Sequence, residues 1–162
     1  MPLTRQQFID KYKQDVIDAT CGTGIFPSVK MAQMIIESAN SNGQAGEGIT
    51  FVKANNAFGI KQGIGWTGAV ATFSTPKDGK PVSVFRVYPT VKDSIIDHTN
   101  FLKNNSRYTT AGVFAAKTVE EQIAALVKGK YSESPTYGNA LNQMIALYKL
   151  KELDKQGCEK KK

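Results

Sequence analysis

Residues 26 to 61 read FPSVKMAQMIIESANSNGQAGEGITFVKANNAFGIK, and the fold turns on how that stretch divides. Its first half has helical spacing. Pro27 suits a first helical turn, where its missing N–H would be unpaired anyway. Val29, Ala32 and Ile36, with Met31 and Ile35, then recur at three- and four-residue steps and form a broad apolar stripe. Gln33, Glu37, Asn40 and Ser41 fall on another side, and Asn42-Gly43 is the stop signal. The second half is a polar, glycine-rich loop over residues 41–54. It returns to a compact run, Asn55-Asn56-Ala57-Phe58-Gly59-Ile60-Lys61.

The helix carries one acid, Glu37, in its last turn or two. The negative end of a helix dipole disfavours a carboxylate there. Apolar neighbours such as Met34 and Ile36 add a desolvation penalty of the same sign. Both effects favour the protonated form, which a general acid needs near neutral pH. On local pattern alone the plainer alternative is a solvated surface glutamate.

Around this centre the chain reads as mainly helical. Thr4-Arg5-Gln6-Gln7 is a capping box, and Phe8, Tyr12, Val16 and Ala19 follow at regular steps, so residues 4–19 are expected to be helical. Residues 69–73 and 82–87 are β-rich, with the turn signal Pro76-Lys77-Asp78-Gly79 between them, which predicts one small hairpin. Thr90 with Asp93 opens a further helix carrying Ile95, Ile96, Thr99 and Leu102. A short helix begins near Arg107-Tyr108. Another starts at Thr118, with Ile123, Leu126 and Val127 facing inward and Gly129 at its end. Ser134-Pro135 is expected to cap the last helix, whose buried face holds Leu141, Met144, Ile145 and Tyr148. The fold class is therefore α+β, mainly helical.

Composition limits the function classes. The chain has 162 residues, 41% hydrophobic and 22% charged, which suits one folded domain with a substantial core. We place that domain at residues 1–153 and a basic tail, expected to be disordered, at 154–162. No stretch of about 18 apolar residues predicts a membrane span. The first residues lack the apolar run of a secretory signal, so we expect either a trimmed form of a longer chain or export by another route; a phage-borne lysin released at lysis would also need no signal. The net charge of +7 suits an anionic cell wall or nucleic acid, but no helix shows a dense basic face interleaved with aromatics. There is no CxxC or Cys/His metal pattern, and we expect no metal and no cofactor. Cys21 and Cys158 lie near opposite ends; a disulfide and two free thiols both remain open.

Five motifs occur in order. Ala32-Gln33-Met34-Ile35-Ile36-Glu37-Ser38 is followed by Asn55-Asn56-Ala57-Phe58-Gly59-Ile60-Lys61. Then come Phe85-Arg86-Val87-Tyr88-Pro89-Thr90 with Ser94 and Asp97-His98, Phe101-Leu102 with Arg107-Tyr108, and Tyr131-Ser132-Glu133-Ser134-Pro135-Thr136-Tyr137. Over about residues 4–152 this series resembles the glucosaminidase family of peptidoglycan hydrolases (glycoside hydrolase family 73), whose pattern is AQ-x-x-x-ES, NN-x-FGIK and GYATDPxY. The resemblance implies a lysozyme-like fold. It implies an endo-β-N-acetylglucosaminidase that cleaves peptidoglycan glycan strands, with Glu37 as the acid and Tyr131 across the cleft from it. It also places Ser38, Asn56, Phe58, Gly59 and Tyr137 at the substrate cleft. The runner-up readings are a muramidase or lytic transglycosylase of the same fold, and a wall-binding module without activity. A monomer is expected.

Two departures from the family pattern bear on mechanism. Ala39-Asn40-Ser41 stands where an aromatic and a glycine are usual. The hairpin has Thr75-Pro76-Lys77 where a T-x-E acid is usual. The spare acids are Asp78, in the predicted turn, and Glu47, in the loop after Glu37; each is by local pattern a solvated loop charge. Trp66, the single tryptophan, is either a sugar platform or half-core. His98, the single histidine, reads as a hydrogen-bonded core group.

Overall fold

Thr4 starts the first helix as its pattern requires. Its hydroxyl accepts from the Gln7 N–H at 3.1 Å, and the Gln7 side chain accepts from the Thr4 N–H at 2.9 Å. Helix α1 (Arg5–Thr20) buries Phe8, Ile9, Val16 and Ile17. In the computed structural model, residues 1–75 and 78–156 are described. Pro76, Lys77 and residues 157–162 of the basic tail, Cys158 among them, lie outside them, so the expectations that fall there concern undescribed residues.

Helix α2 (Pro27–Glu37) is the axis of the fold. It packs against α1, against α6 (Val119–Lys128), against α7 (Tyr137–Leu147) and against a 3₁₀ helix (Leu150–Lys155). The sequence predicts a stripe with a polar side, but every residue from Ser28 to Ile35 is buried, Lys30 and Gln33 included. A helix enclosed by neighbours must satisfy polar side chains internally. Its start lacks a side-chain cap from Phe26. Instead Asp154 accepts from the Ser28 N–H at 2.8 Å and from its hydroxyl at 2.7 Å. That supplies an anion to otherwise unpaired donors at the positive helix end. The expected tail boundary at residue 153 thus falls inside the 3₁₀ helix, whose Leu150 and Leu153 are buried.

The far end of α2 comes earlier than the Asn42-Gly43 signal, at Glu37. Ser38 fixes the reversal: its hydroxyl accepts from Gly46 N–H at 2.9 Å and its carbonyl from Gly48 N–H at 2.8 Å. A Cβ on Gly48 would sit 2.8 Å from the Ala39 carbonyl oxygen and 2.9 Å from that of Ser38, so only glycine permits this approach. The stretch expected to be loop as far as residue 54 then contains helix α3 (Ile49–Ala54). Six residues are too few to display a helical period.

Strands β1 (Val70–Ala71) and β2 (Phe85–Arg86) form the predicted antiparallel hairpin, with Val70 opposite Arg86 and Ala71 opposite Phe85. Helix α4 (Val91–Asn104) is capped by Thr90 at the Asp93 N–H, and α5 (Ser106–Ala111) follows directly. In α6, Ile123 and Leu126 are buried, but Val127 is exposed rather than inward. Helix α7 begins at Tyr137, after the Ser134-Pro135 pair instead of upon it. Among the described residues no helix is long and apolar enough to cross a membrane.

Candidate active site

Glu37 is the last residue of α2 and is held at both oxygens. Tyr131 follows α6, where Lys130 takes a left-handed backbone (φ 61°) and the Tyr131 N–H returns to the Leu126 carbonyl. That turn aims the Tyr131 hydroxyl at Glu37 Oε1, 2.8 Å away. Tyr137, in the first turn of α7, donates to Oε2 at 2.7 Å. Gln33, one turn before Glu37, donates to the Tyr137 oxygen at 3.2 Å. The two tyrosine rings stack with centroids 5.5 Å apart.

Burial raises the Glu37 pKa to about 7; the bonds from Tyr137 and Tyr131 and the charge of Lys30 pull the other way. Desolvation therefore dominates, and the carboxyl is poised where a general acid is useful. Beneath it Lys30, fully buried, places Nζ 2.6 Å from His98 Nδ1. His98 Nε2 lies 2.7 Å from the Tyr131 hydroxyl. Phe58 stacks on the imidazole at 3.9 Å. Burial lowers Lys30 to about 7, with Glu37 partly opposing, and holds His98 well below its usual range. Burial, with the Glu37 charge next, pushes the Tyr131 phenol upward. His98 is thus a neutral imidazole with one donor and one acceptor nitrogen.

A groove passes over this carboxyl. One part, about 890 Å³, is lined by Glu37, the Phe58–Lys61 segment, Arg107 and Tyr131 among others. A smaller part, about 350 Å³, continues on the far side of Glu37 and Tyr131 past Ser132, Ser134 and Tyr137. Among the described lining residues of both parts Glu37 is the single carboxylate.

A family model described as mannosyl-glycoprotein endo-beta-N-acetylglucosaminidase matches residues 13–150. This chain belongs to the glucosaminidase family. The solved catalytic domain of the autolysin Auto from Listeria monocytogenes is 29% identical to this glucosaminidase domain, with a TM-score of 0.73 over 95% of this chain and 89% of that one. A probable N-acetylmuramidase of Lactococcus lactis subsp. cremoris is 34% identical over 92% of this chain and 35% of its own length. The peptidoglycan hydrolase FlgJ of Vibrio parahaemolyticus is 30% identical over 86% of this chain and 46% of its own length. The chain thus spans between a third and a half of these two relatives. The lysozyme-like fold expected from the motifs is the fold of this family.

The glucosaminidase motifs divide between groove and scaffold. Phe58 and Gly59 line the groove beside Glu37. Asn56 does not reach it. It is fully buried, donates to the carbonyls of Ile60 and Arg86, each at 2.9 Å, and accepts from the N–H groups of Ile60 and Phe58. Ser38 is likewise buried in the turn after α2. Both were expected at the cleft, and both instead satisfy backbone groups that a tight turn leaves unpaired. Trp66 takes the half-core alternative: its indole N–H donates to the Ala69 carbonyl at 3.0 Å and the Arg86 guanidinium lies over its ring. Arg86 also pairs with Asp97 at 2.8 Å, the carboxylate-holding task its forked donors suit. Tyr137 spends its hydroxyl on Glu37.

Neither spare acid lines the groove. Asp78 borders a separate cavity at the hairpin, and Glu47 is exposed in the loop before α3. The residue that sequence reasoning missed is Lys30. Its one signal was spacing: it stands seven residues, two helical turns, before Glu37 and hence on the same side of α2. Among the described residues no group of three His, Cys, Asp or Glu side chains is placed to hold a metal ion.

Proposed function

We propose that this domain is a peptidoglycan hydrolase that cuts the β-1,4 bond after N-acetylglucosamine, with Glu37 as general acid. The observation that carries the reading is a carboxyl with a pKa near 7 on the floor of a groove, each oxygen held by a tyrosine hydroxyl. The description of the family model and the printed name of the Vibrio relative support it. In the reaction Glu37 gives its proton to the departing glycosidic oxygen and becomes a carboxylate that the two tyrosines stabilise.

A glycosidase ordinarily uses two carboxylates, roughly 5–5.5 Å apart for retention or 6.5–9.5 Å for inversion. No second one lines this groove among the described residues. We therefore assign the nucleophile to the substrate's own 2-acetamido carbonyl, as in known substrate-assisted glycosidases. Glu37, now ionised, takes the proton of the water that opens the resulting ring. This route retains configuration. An inverted first product, read by NMR of the released anomer, would exclude it.

The second reading is a muramidase, favoured by the printed name of the Lactococcus relative. Mass spectrometry of digested walls separates the two. Reducing N-acetylglucosamine ends support the proposal, reducing muramic acid ends support the muramidase, and anhydro muramic acid ends point to a lytic transglycosylase of the same fold. Binding to walls without clearing them would make the domain a wall-binding module. The wall, outside the cytoplasm, is the expected place of action.

Two further outcomes follow from the geometry. Because Glu37 must be protonated, kcat/KM is expected to fall as pH rises through about 7. A rate that is flat from acid to alkaline pH would contradict this. Tyr131→Phe removes a bond that favours the Glu37 anion, so the alkaline limb moves upward. It also removes a charge-assisted bond worth about 1.5–3 kcal/mol. The expected cost is about 10–100-fold in kcat, measured by turbidity on purified walls.

A further inference from the structure

Lys30 is fully buried on α2, and among the described residues its Nζ hydrogen-bonds the neutral imidazole of His98. A buried ammonium needs a reason, because desolvating it is costly. The reason lies in the line of contacts that leaves it. Nζ meets His98 Nδ1 at 2.6 Å, Nε2 meets the Tyr131 hydroxyl at 2.7 Å, and that hydroxyl meets Glu37 Oε1 at 2.8 Å. An ammonium has donors only, so Nδ1 must accept. Neutral His98 then carries its proton on Nε2 and donates to the Tyr131 oxygen, which leaves the tyrosine proton for Glu37. Each bond fixes the direction of the next.

We propose that Lys30 and His98 are positioning residues that orient the Tyr131 hydroxyl toward Glu37 and set the pH at which Glu37 holds its proton. The inference rests on Glu37 being the acid of the reaction above. Lys30 acts on the carboxyl by charge and by hydrogen-bond direction together. While it is ionised, the Tyr131 proton is committed to Glu37 and the anion is favoured. When Lys30 loses its proton, His98 is free to take the other tautomer, and the Tyr131 hydroxyl is no longer compelled to donate to the carboxylate. Stacking on Phe58 holds the ring plane, so only the tautomer changes.

Other ionisable groups lie on the elements around this line. Tyr137 comes from α7 and Tyr108 from α5. Lys61, Arg86 and Arg107 line the groove above it. On α1, Asp18 is paired with Lys92, and Asp154 of the 3₁₀ helix is bound to Ser28 at the opposite end of α2.

The test is a carboxyl ¹³C NMR titration of Glu37 in the intact domain, which does not depend on activity. In Lys30→Met the midpoint is expected to rise by about one pH unit, since a nearby cation has been removed. His98→Phe, which breaks the line but keeps the stack, should move it the same way. His98→Gln offers an acceptor to Lys30 and a donor to Tyr131, and should restore the parent midpoint. In the unaltered protein, ¹⁵N NMR of His98 below about pH 7, where Lys30 is charged, should show a protonated Nε2 and a bare Nδ1. A Lys30→Met midpoint equal to the parent's, or a proton on Nδ1 in that range, overturns the proposal. If the titrations behave as expected and walls are not cut, the function reading fails and the inference about Glu37 stands.

Discussion

Glu37→Gln is expected to lower wall lysis by roughly 10²–10⁴-fold while leaving the fold intact, the span usually lost with a general acid. The amide is nearly isosteric, keeps one acceptor for a tyrosine and offers N–H donors to the other tyrosine oxygen, so the Tyr131 and Tyr137 contacts have replacements. Stability should respond with a definite sign. The folded pKa of Glu37 is raised from 4.5 to about 7. Its contribution to stability is therefore complete below 4.5 and is lost as pH rises to about 7. The glutamine variant has no such loss. Its melting temperature relative to the parent should be higher at neutral pH than in acid. Parent-rate lysis by the variant would remove Glu37 from the chemistry, and parallel pH–stability curves would show that the carboxyl is not held as described.

The largest effect on stability is expected at Asn56→Ala. Four backbone groups bond to that one buried amide: the carbonyls of Ile60 and Arg86 and the N–H groups of Ile60 and Phe58. Truncation removes a partner from each: the Ile60 carbonyl keeps the Arg86 N–H at 3.0 Å, and the other three lose the amide, at about 1–3 kcal/mol for each group that finds no substitute. With partial relaxation the expected loss is about 3–5 kcal/mol, a fall of about 6–20 °C in melting temperature for a domain of this size. Activity at low temperature should fall as well, because the amide ties the Phe58–Gly59 wall to β2. Urea denaturation measures the loss. A change below about 1 kcal/mol would show that the turn holds itself without Asn56.

What was legible beforehand follows from where the information sits. Helices α1 and α2 announced themselves by local signals: the Thr4 capping box, Pro27 and the apolar steps between. Glu37 could be placed because position on a helix is a local property. Burial of its neighbours is not. Helix α2 is surrounded, and no period distinguishes a lysine at a wet surface from one facing His98, a residue 68 positions away in the chain. Lys30 was therefore overlooked. Asn56 and Ser38 were placed at the cleft by the family resemblance of the motifs that hold them. Their actual partners are backbone groups exposed by turns whose shape the sequence does not state. Tyr137 combined both difficulties, with a ring that packs and a hydroxyl that reaches the carboxyl.

The bond between Asp154 and Ser28 spans 126 positions of the chain. During synthesis the helix bearing Glu37 leaves the ribosome well before the carboxylate that completes its first turn, 126 positions later. Tyr131 and Tyr137 also arrive late. A nascent chain thus has no finished Glu37 site until residue 154 is outside the exit tunnel, so the activity proposed for it would be delayed until this region has been translated.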